Sequence, residues 1–158
     1  MTMSPYLAML REAVGNKLVI VPGAAGIVRD SEGRVLVLQR ADDGQWDLPA
    51  GATDPGETPA ETVEREVREE SGLEVRARRI AGVFGGRAFR HTYPDGEEVE
   101  GLITVFDCER IGGELRFHDG EATAARFFAP AEMPRLIFPY PASLFELQAE
   151  RAVFDPAD

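Results

Sequence analysis

The chain has 158 residues, enough for one domain with a sizeable core, and its 44% hydrophobic content is ordinary for a globular protein. No apolar run approaches the ~18 residues needed to span a membrane. A net charge of −11 argues against a nucleic-acid backbone as partner. The opening MTMSPYLAMLREAVG lacks a basic start and carries Arg11 and Glu12 inside its apolar part, so it does not read as a signal peptide. Cys108, the only cysteine, excludes an internal disulfide, suits a reducing cytosol and reads as a small core residue. His91 and His118 are too few and too far apart in sequence to suggest a zinc site.

In chain order, Pro5 to Val14 reads as a short helix, with Ser4 as its cap and Tyr6, Leu7, Met9, Leu10 and Val14 on its apolar side. Leu18 to Val21 and Ala24 to Val28 read as strand, with Pro22-Gly23 as a bend or bulge between them. After a turn at Asp30-Ser31-Glu32-Gly33, the chain returns as a strand from Arg34 to Arg40. Its Val35-Leu36-Val37-Leu38 run is apolar on both faces, which predicts a central strand covered on both sides. Ala41 to Gln45 is a polar loop, and Trp46-Asp47-Leu48-Pro49 leads into Ala50-Gly51. Trp46 reads as a core plug or as part of a substrate wall.

The stretch GATDPGETPAETVEREVREESGL, Gly51 to Leu73, organises the rest. Thr58 followed by Glu61 makes a capping box, Pro59 takes the first helical position, and Gly72 is suited to a left-handed stop. Ala60, Val63 and Val67 form one apolar stripe. Glu66, Glu69 and Glu70 stand at i, i+3 and i+4, so three carboxylates share one side of the helix. From Gly51 to Val75 eight acids face only Arg65 and Arg68, a local balance of −6. Such a cluster repels itself and any polyanion unless a divalent cation intervenes, and hard carboxylate oxygens suit Mg²⁺ or Mn²⁺.

Beyond this helix, Leu73 to Phe84 reads as extended and ends at Gly85-Gly86. Ala88 to Tyr93 and Val99 to Cys108 flank Pro94-Asp95-Gly96-Glu97, a hairpin signal. Gly112-Gly113 predicts a turn into a strand over Leu115 to Phe117. His118-Asp119-Gly120-Glu121 predicts a polar loop before a strand over Ala124 to Phe128. Ala131 to Arg135 reads as a short helical turn and Ser143 to Ala152 as a closing helix. No repeat or linker divides the chain, so residues 1–158 are expected to form one domain with an N-terminal extension over about residues 1–16.

The spacing Gly, five residues, Glu, seven residues, then Arg-Glu-aliphatic-x-Glu-Glu-x-Gly-aliphatic resembles the signature of the Nudix hydrolases. Gly51, Glu57, Arg65, Glu66, Val67, Glu69, Glu70, Gly72 and Leu73 meet every specified position. The resemblance implies an α/β/α sandwich with a mixed sheet, here with extra N- and C-terminal helices of a kind that serve as homodimer contacts or substrate walls. It also implies a Mg²⁺-dependent (or Mn²⁺-dependent) hydrolase that cleaves a nucleoside diphosphate joined to another moiety, a small-molecule nucleotide substrate in the cytoplasm. The usual Gly-Gly before the signature is Ala50-Gly51 here. On this reading Glu66, Glu70 and Glu69 are the metal ligands, together with the carbonyl of Ala50, and Glu69 or Glu121 is the base. Arg65 holds a neighbouring carboxylate, with Glu57 as partner. Gly51, Glu57 and Gly72 support the loop and helix, while Arg40 and Trp46 meet the substrate.

Two other classes fit the residues less well. A nucleotide sensor that does not cleave would be expected to lose signature carboxylates, and this chain keeps them all. An isomerase acting on isopentenyl diphosphate needs a reactive cysteine, and Cys108 late in a strand is poorly placed for that. The substrate is open between nucleoside triphosphates, ADP-ribose and nucleotide sugars. The proline of ADP-ribose-cleaving relatives is replaced by Ala88-Phe89, and Tyr93 falls slightly late for the tyrosine of dinucleoside-polyphosphate relatives.

Overall fold

The computed structural model of the protein describes residues 3–93, 95–116, 120, 122–147 and 152–154. The first helix, α1, spans Pro5–Val14; the Leu7 N–H donates to Ser4 Oγ at 3.2 Å, and Gly15 ends the helix at φ 63°. Strand β1 (Val19–Val28) follows without interruption, then β2 (Val35–Arg40), β3 (Trp46–Asp47) and β4 (Ala50–Ala52). The second helix, α2, is Pro59–Ser71, succeeded by β5 (Leu73–Phe84), β6 (Arg90–Thr92), β7 (Glu98–Gly113), β8 (Ala122–Phe128) and β9 (Val153–Phe154).

One mixed sheet runs β4-β1-β7-β5-β9, with β6 also paired to β7. β1 and β7 are parallel from Val19↔Val99 to Val28↔Cys108, and β5 pairs antiparallel with β7. A second sheet has the order β3-β2-β8, so β2 is its central strand, with Val35 to Leu38 all buried as expected.

The period of two along the strands divides the interior into two cores. Ala25, Ile27, Val35, Val37, Ile103 and Val105 join Leu48, Phe84, Phe89, Leu144 and Phe145 in one. Ala24, Val28, Leu36, Leu38, Phe106 and Cys108 face the other, where Val63 and Val67 of α2 pack. α2 is seated closely because Gly26 has no side chain. A Cβ there would stand 3.0 Å from Val67 Cγ2 and 3.1 Å from Val63 Cγ2.

Four expectations need correction. Pro22-Gly23 does not bend β1. Its missing N–H is tolerated in this ladder, Pro22 O accepts from Thr53 N at 2.9 Å, and Gly23 is required because a Cβ would lie 2.8 Å from Gly51 O. The segment before the hairpin is a 3-10 turn over Arg87–Phe89 that buries Phe89, so the strand there is only Arg90–Thr92. β7 runs on through Gly113, and the chain then leaves the sheet: Leu115 and Arg116 are not strand, and Arg116 N donates to Ser71 O at 2.8 Å. Phe117 lies outside the described residues.

The closing helix is the fourth. The chain makes a 3-10 turn over Ala142–Phe145 and then extends at Glu146. Leu144 and Phe145 are adjacent and both sink into the same core. An α-helix would turn the second about 100° away from the first, so tertiary burial overrides the local preference. Residues 148–151 of the expected helix lie outside the described residues.

Gly26→Ala is expected to overpack the α2 seat and cost about 1–3 kcal/mol. Chemical denaturation of the variant beside the parent chain measures this, and an unchanged midpoint would show that α2 is not held by that close approach.

Candidate active site

α2 carries the site, and its ends are fixed by its own sequence. Thr58 and Glu61 exchange hydrogen bonds, with Glu61 N donating to Thr58 Oγ1 at 3.2 Å and Thr58 N donating to Glu61 Oε2 at 2.8 Å. Gly72 takes the left-handed conformation, φ 74°, that closes the helix. Between these stops the side chain of Arg65 lies at the centre of the acidic face. Its Nε donates to Glu57 Oε1 at 2.6 Å and its Nη2 to Glu57 Oε2 at 2.9 Å, a bidentate pair. Nη1 donates to Glu66 Oε1 at 2.6 Å and reaches Glu69 Oε2 at 3.3 Å, while Nη2 also donates to the carbonyl of Ala52 at 3.0 Å.

Glu57 is buttressed from behind. Its Oε2 accepts from Asp54 N at 3.1 Å, and the Thr62 hydroxyl stands 3.1 Å away. The Arg65 guanidinium, helped by these donors, holds the Glu57 carboxyl down to about 2. The same pairing raises Arg65 above its ordinary range.

Glu66 is 7% exposed, and its carboxyl lies against the backbone of Gly51. A Cβ at position 51 would overlap that carboxyl, so glycine here is a cradle for Glu66. Glu70 Oε2 accepts from the N–H of Ala50 at 2.9 Å. β4 pairs with β1 through Ala24↔Gly51, and Gly26 N donates to Pro49 O at 2.9 Å. The N–H and carbonyl of Ala50 therefore leave the opposite edge of β4, toward Glu70. No non-glycine residue among those described has a positive φ, so alanine occupies position 50 without strain. Glu69, at 52% side-chain exposure, is the most solvent-accessible of the carboxylates that Arg65 holds.

The structure thus brings together Gly51, Glu57, Arg65, Glu66, Glu69, Glu70 and the backbone of Ala50. That Arg65 serves three carboxylates and a carbonyl, rather than Glu57 alone, has no signal in the sequence beyond its place among acids. Glu121 lies outside the described residues. Trp46 is half-buried and packed on the core, its ring meeting Phe128 edge-on at 5.5 Å and lying 6.0 Å beneath the Arg126 guanidinium. Arg40 does reach the neighbouring cavity, but Asp42 and Asp43 hold it there, its Nε donating to Asp42 Oδ1 at 3.0 Å and standing 3.3 Å from Asp43 Oδ1.

That cavity, of about 230 Å³, opens beside Ala50–Ala52. Met3 and, from α1, Leu7 and Arg11 form one wall, and the hairpin another through His91, Tyr93 and Val99. α1 stays in place because Arg11, only 8% exposed, donates to the carbonyls of Gly15, Lys17 and Glu98 at 3.2, 2.9 and 2.8 Å and pairs with Glu97 at 3.1 Å. Sequence reasoning missed Arg11, Asp47 and His91 as lining residues. His91 and Tyr93 were detectable, since residues two apart on a strand share a face. Asp47 was not, because nothing local marks its burial. Burial pushes its carboxyl up to about 7, and its Oδ1 accepts from Leu48 N at 2.8 Å. Cys108 is buried beside Asp107, and its thiol is pushed up to about 12, so it is no nucleophile near neutral pH.

Among the described residues no three His, Cys, Asp or Glu side chains are drawn closely enough together to hold a metal ion. Arg65 holds Glu57, Glu66 and Glu69 instead. The donor set is nevertheless the one a hard divalent cation uses: carboxylate oxygens from one helix face opposite a strand carbonyl, with each carboxylate offering about four lone-pair sites.

Comparison with known proteins gives the family. A family model described as the NUDIX domain matches residues 19–148. A MutT-like protein of Streptomyces ambofaciens is 34% identical over 129 residues, covering 81% of this chain and 75% of that protein. An ADP-ribose pyrophosphatase of Methanocaldococcus jannaschii is 32% identical over 134 residues, covering 81% and 74%. The fold is similar to the crystal structure of an ADP-ribose pyrophosphatase from Streptococcus suis, with a TM-score of 0.67 at 24% identity, over 85% of this chain and 98% of that one. With the match running from the start of β1 past the 3-10 turn that follows β8, the chain belongs to the NUDIX domain family.

Proposed function

We infer that the chain is a nucleotide pyrophosphohydrolase, a hydrolase of phosphoric anhydride bonds that depends on a divalent cation, Mg²⁺ or Mn²⁺. The observation that carries this reading is the gathering of Glu66 and Glu69 on Arg65, with Glu70 on the Ala50 N–H of β4, beside a cavity able to receive the rest of a nucleotide. Curated relatives named ADP-ribose pyrophosphatase and nucleoside triphosphatase support the substrate class, a nucleoside diphosphate joined to another moiety.

Glu66, Glu70 and Glu69, with the Ala50 carbonyl, would hold the cation. When bound, it supplies positive charge to the pyrophosphate oxygens and makes water more acidic. The chain's own residues do the rest. Arg65 stays bound to Glu57, whose carboxylate remains ionised at every working pH, and so fixes the height of the helix face above β4. The Gly51 cradle holds the Glu66 carboxyl in its rotamer. Glu69, at the solvent edge, can accept a proton from the attacking water; Glu121 is the alternative acceptor. The two assignments separate by mutation. If Glu121 is the base, Glu121→Gln lowers kcat by roughly 10²–10⁴ and Glu69→Gln is partly rescued by raising Mg²⁺. A silent Glu121→Gln beside an unrescued Glu69→Gln makes Glu69 the base.

The inference is tested by incubating the chain with nucleoside triphosphates, ADP-ribose and nucleotide sugars and following phosphate released after phosphatase treatment. Activity is expected with Mg²⁺ and an alkaline optimum, and its persistence in excess chelator would contradict the reading. Glu70→Gln should lower kcat by on the order of 10³ while leaving the fold intact.

Proton inventory gives a separate expectation. Asp47 has its folded-state value raised to about 7 from 3.8, so its ionisation opposes folding. Its contribution is neutral below about pH 4, and stability is lost as pH rises toward and through 7, by up to ~4 kcal/mol. Asp47→Asn keeps an acceptor for Leu48 N and should raise the melting temperature at pH 8 while changing it little at pH 4. Equal effects at both values would mean the carboxyl is ionised in the folded chain without penalty.

A further inference from the structure

The main sheet is covered unevenly on the face that carries α2. Ala24, Phe106 and Cys108 point from that face into the core under the helix. With a period of two, Ile20 and Pro22 of β1 and Leu102 of β7 point the same way. The register sets Pro22 beside Leu102, and on β5 it sets Val83 beside Thr104 and Ile80 beside Phe106. α2 is seated farther along, at Gly26. Ile20 is therefore 63% exposed and Leu102 51%, and Pro22, Val83 and Ile80 are exposed as well. Together they make one apolar band across three neighbouring strands, where a strand residue facing solvent is ordinarily polar. The band is flat, because Leu102 lies over bare backbone: a Cβ at Gly85 would stand 3.3 Å from Leu102 Cδ1.

Contiguous exposed apolar surface marks contact with another molecule, and the surroundings of the band say which kind. A small ligand takes a concave site and an extended peptide takes a sheet edge, whereas this is the flat face of a sheet. A membrane surface or a polyanion needs available basic groups around the band. Arg90, at its end, is already paired with Glu100 at 2.6 Å, and the chain carries a net charge of −11. A flat apolar protein surface is what fits, and the chain itself supplies one. Glu100 joins the band to its charged end, standing opposite Ile20 on one side and Arg90 on the other. There the exposed Arg90 and Glu98, opposite in sign, lie diagonally across β6 and β7. A two-fold axis running along the band sets Arg90 of each copy against Glu98 of the other and apolar side chains against apolar side chains. That is the self-complementarity an isologous contact requires.

We propose that this face of the main sheet is a self-association surface, on which a second copy of the chain packs sheet to sheet about a two-fold axis. Leu102 lies at the centre of the contact, and the Arg90–Glu98 diagonals form its rim. The apolar centre supplies affinity, while the charged rim sets register and orientation. Sheets stacked in this way interdigitate their side chains at a spacing of ~10 Å, which the branched Ile20, Ile80 and Val83 suit. Val21, Val99 and Ile103 point from the opposite face, into the cavity, so association leaves the cavity open. The proposal uses no residue of the glutamate site and holds whether or not the chain cleaves nucleotides.

The test is sedimentation equilibrium of the full chain at concentrations up to about 100 μM, a range that resolves micromolar association. A monomer–dimer equilibrium is expected. Leu102→Glu puts a charge at the centre of the contact and should weaken association by roughly tenfold or more, with thermal stability nearly unchanged because the side chain is exposed. Arg90→Glu and Glu98→Arg each set like charges across the axis, so each variant alone should associate more weakly than the parent chain. Mixed in equal amounts, the two should form dimers again, because the mixed pair opposes unlike charges at both diagonals. A chain that stays monomeric throughout, a dimer that Leu102→Glu leaves intact, or charge variants that do not recover on mixing would overturn the proposal. A dimer held through α1 instead gives the second of these results. Should Leu102→Glu fail to fold, Ile20→Glu carries the same expectation and the same refutation.

Discussion

Four glutamates, at 57, 66, 69 and 70, crowd a small area between α2 and β4, and like charges at this spacing repel one another. The Arg65 guanidinium makes the arrangement tenable. It binds both oxygens of Glu57, one of Glu66 and, at longer range, one of Glu69, and it ties the group to the strand through Ala52 O. A lysine could not do this, because it offers a single ammonium where the site uses three nitrogens in one plane. The pair with Glu57 is the fixed point. The Arg65 guanidinium and its other donors pull the Glu57 carboxyl down to about 2, so this pair resists trading Arg65 for another cation.

Close backbone approach is the second constraint, and it comes from a short series of glycines. Gly26 lets Val63 and Val67 of α2 settle on β1, Gly23 admits the carbonyl of Gly51, and Gly51 admits the Glu66 carboxyl. Each lacks a side chain for the same reason: a helix, a strand and a carboxylate are stacked at separations that a methyl group would break. The chemistry therefore depends on packing at both levels, since a shift of α2 by the width of a methyl group would move every carboxylate relative to β4.

Much of this was legible in the sequence because it is local. The capping box at Thr58 and Glu61, the stop at Gly72, α1 from Pro5 to Val14 and β5 from Leu73 to Phe84 all lie where short-range signals put them. The Arg65–Glu57 pair followed from the resemblance and is seen in the structure. What failed depends on distant partners. Leu144 and Phe145 have helical neighbours in sequence, yet a shared core on the far side of the sheet holds them in a 3-10 turn. Asp47 reads as an ordinary acid until the chain folds over it.

The cavity ties these levels together, because helix α1, held by Arg11, and the hairpin bearing His91 close around the strand that also faces the glutamates. The central claim is that Arg65 and Glu57 form a permanent anchor while Glu66, Glu69 and Glu70 are the carboxylates that exchange toward a cation. Carbon-detected NMR of the glutamate side-chain carboxyls during a Mg²⁺ titration at neutral pH tests it most directly. The account predicts saturable shifts at Glu66, Glu69 and Glu70 with Glu57 unmoved; a Glu57 signal that shifts with them, or three carboxyls that ignore the ion, would contradict it.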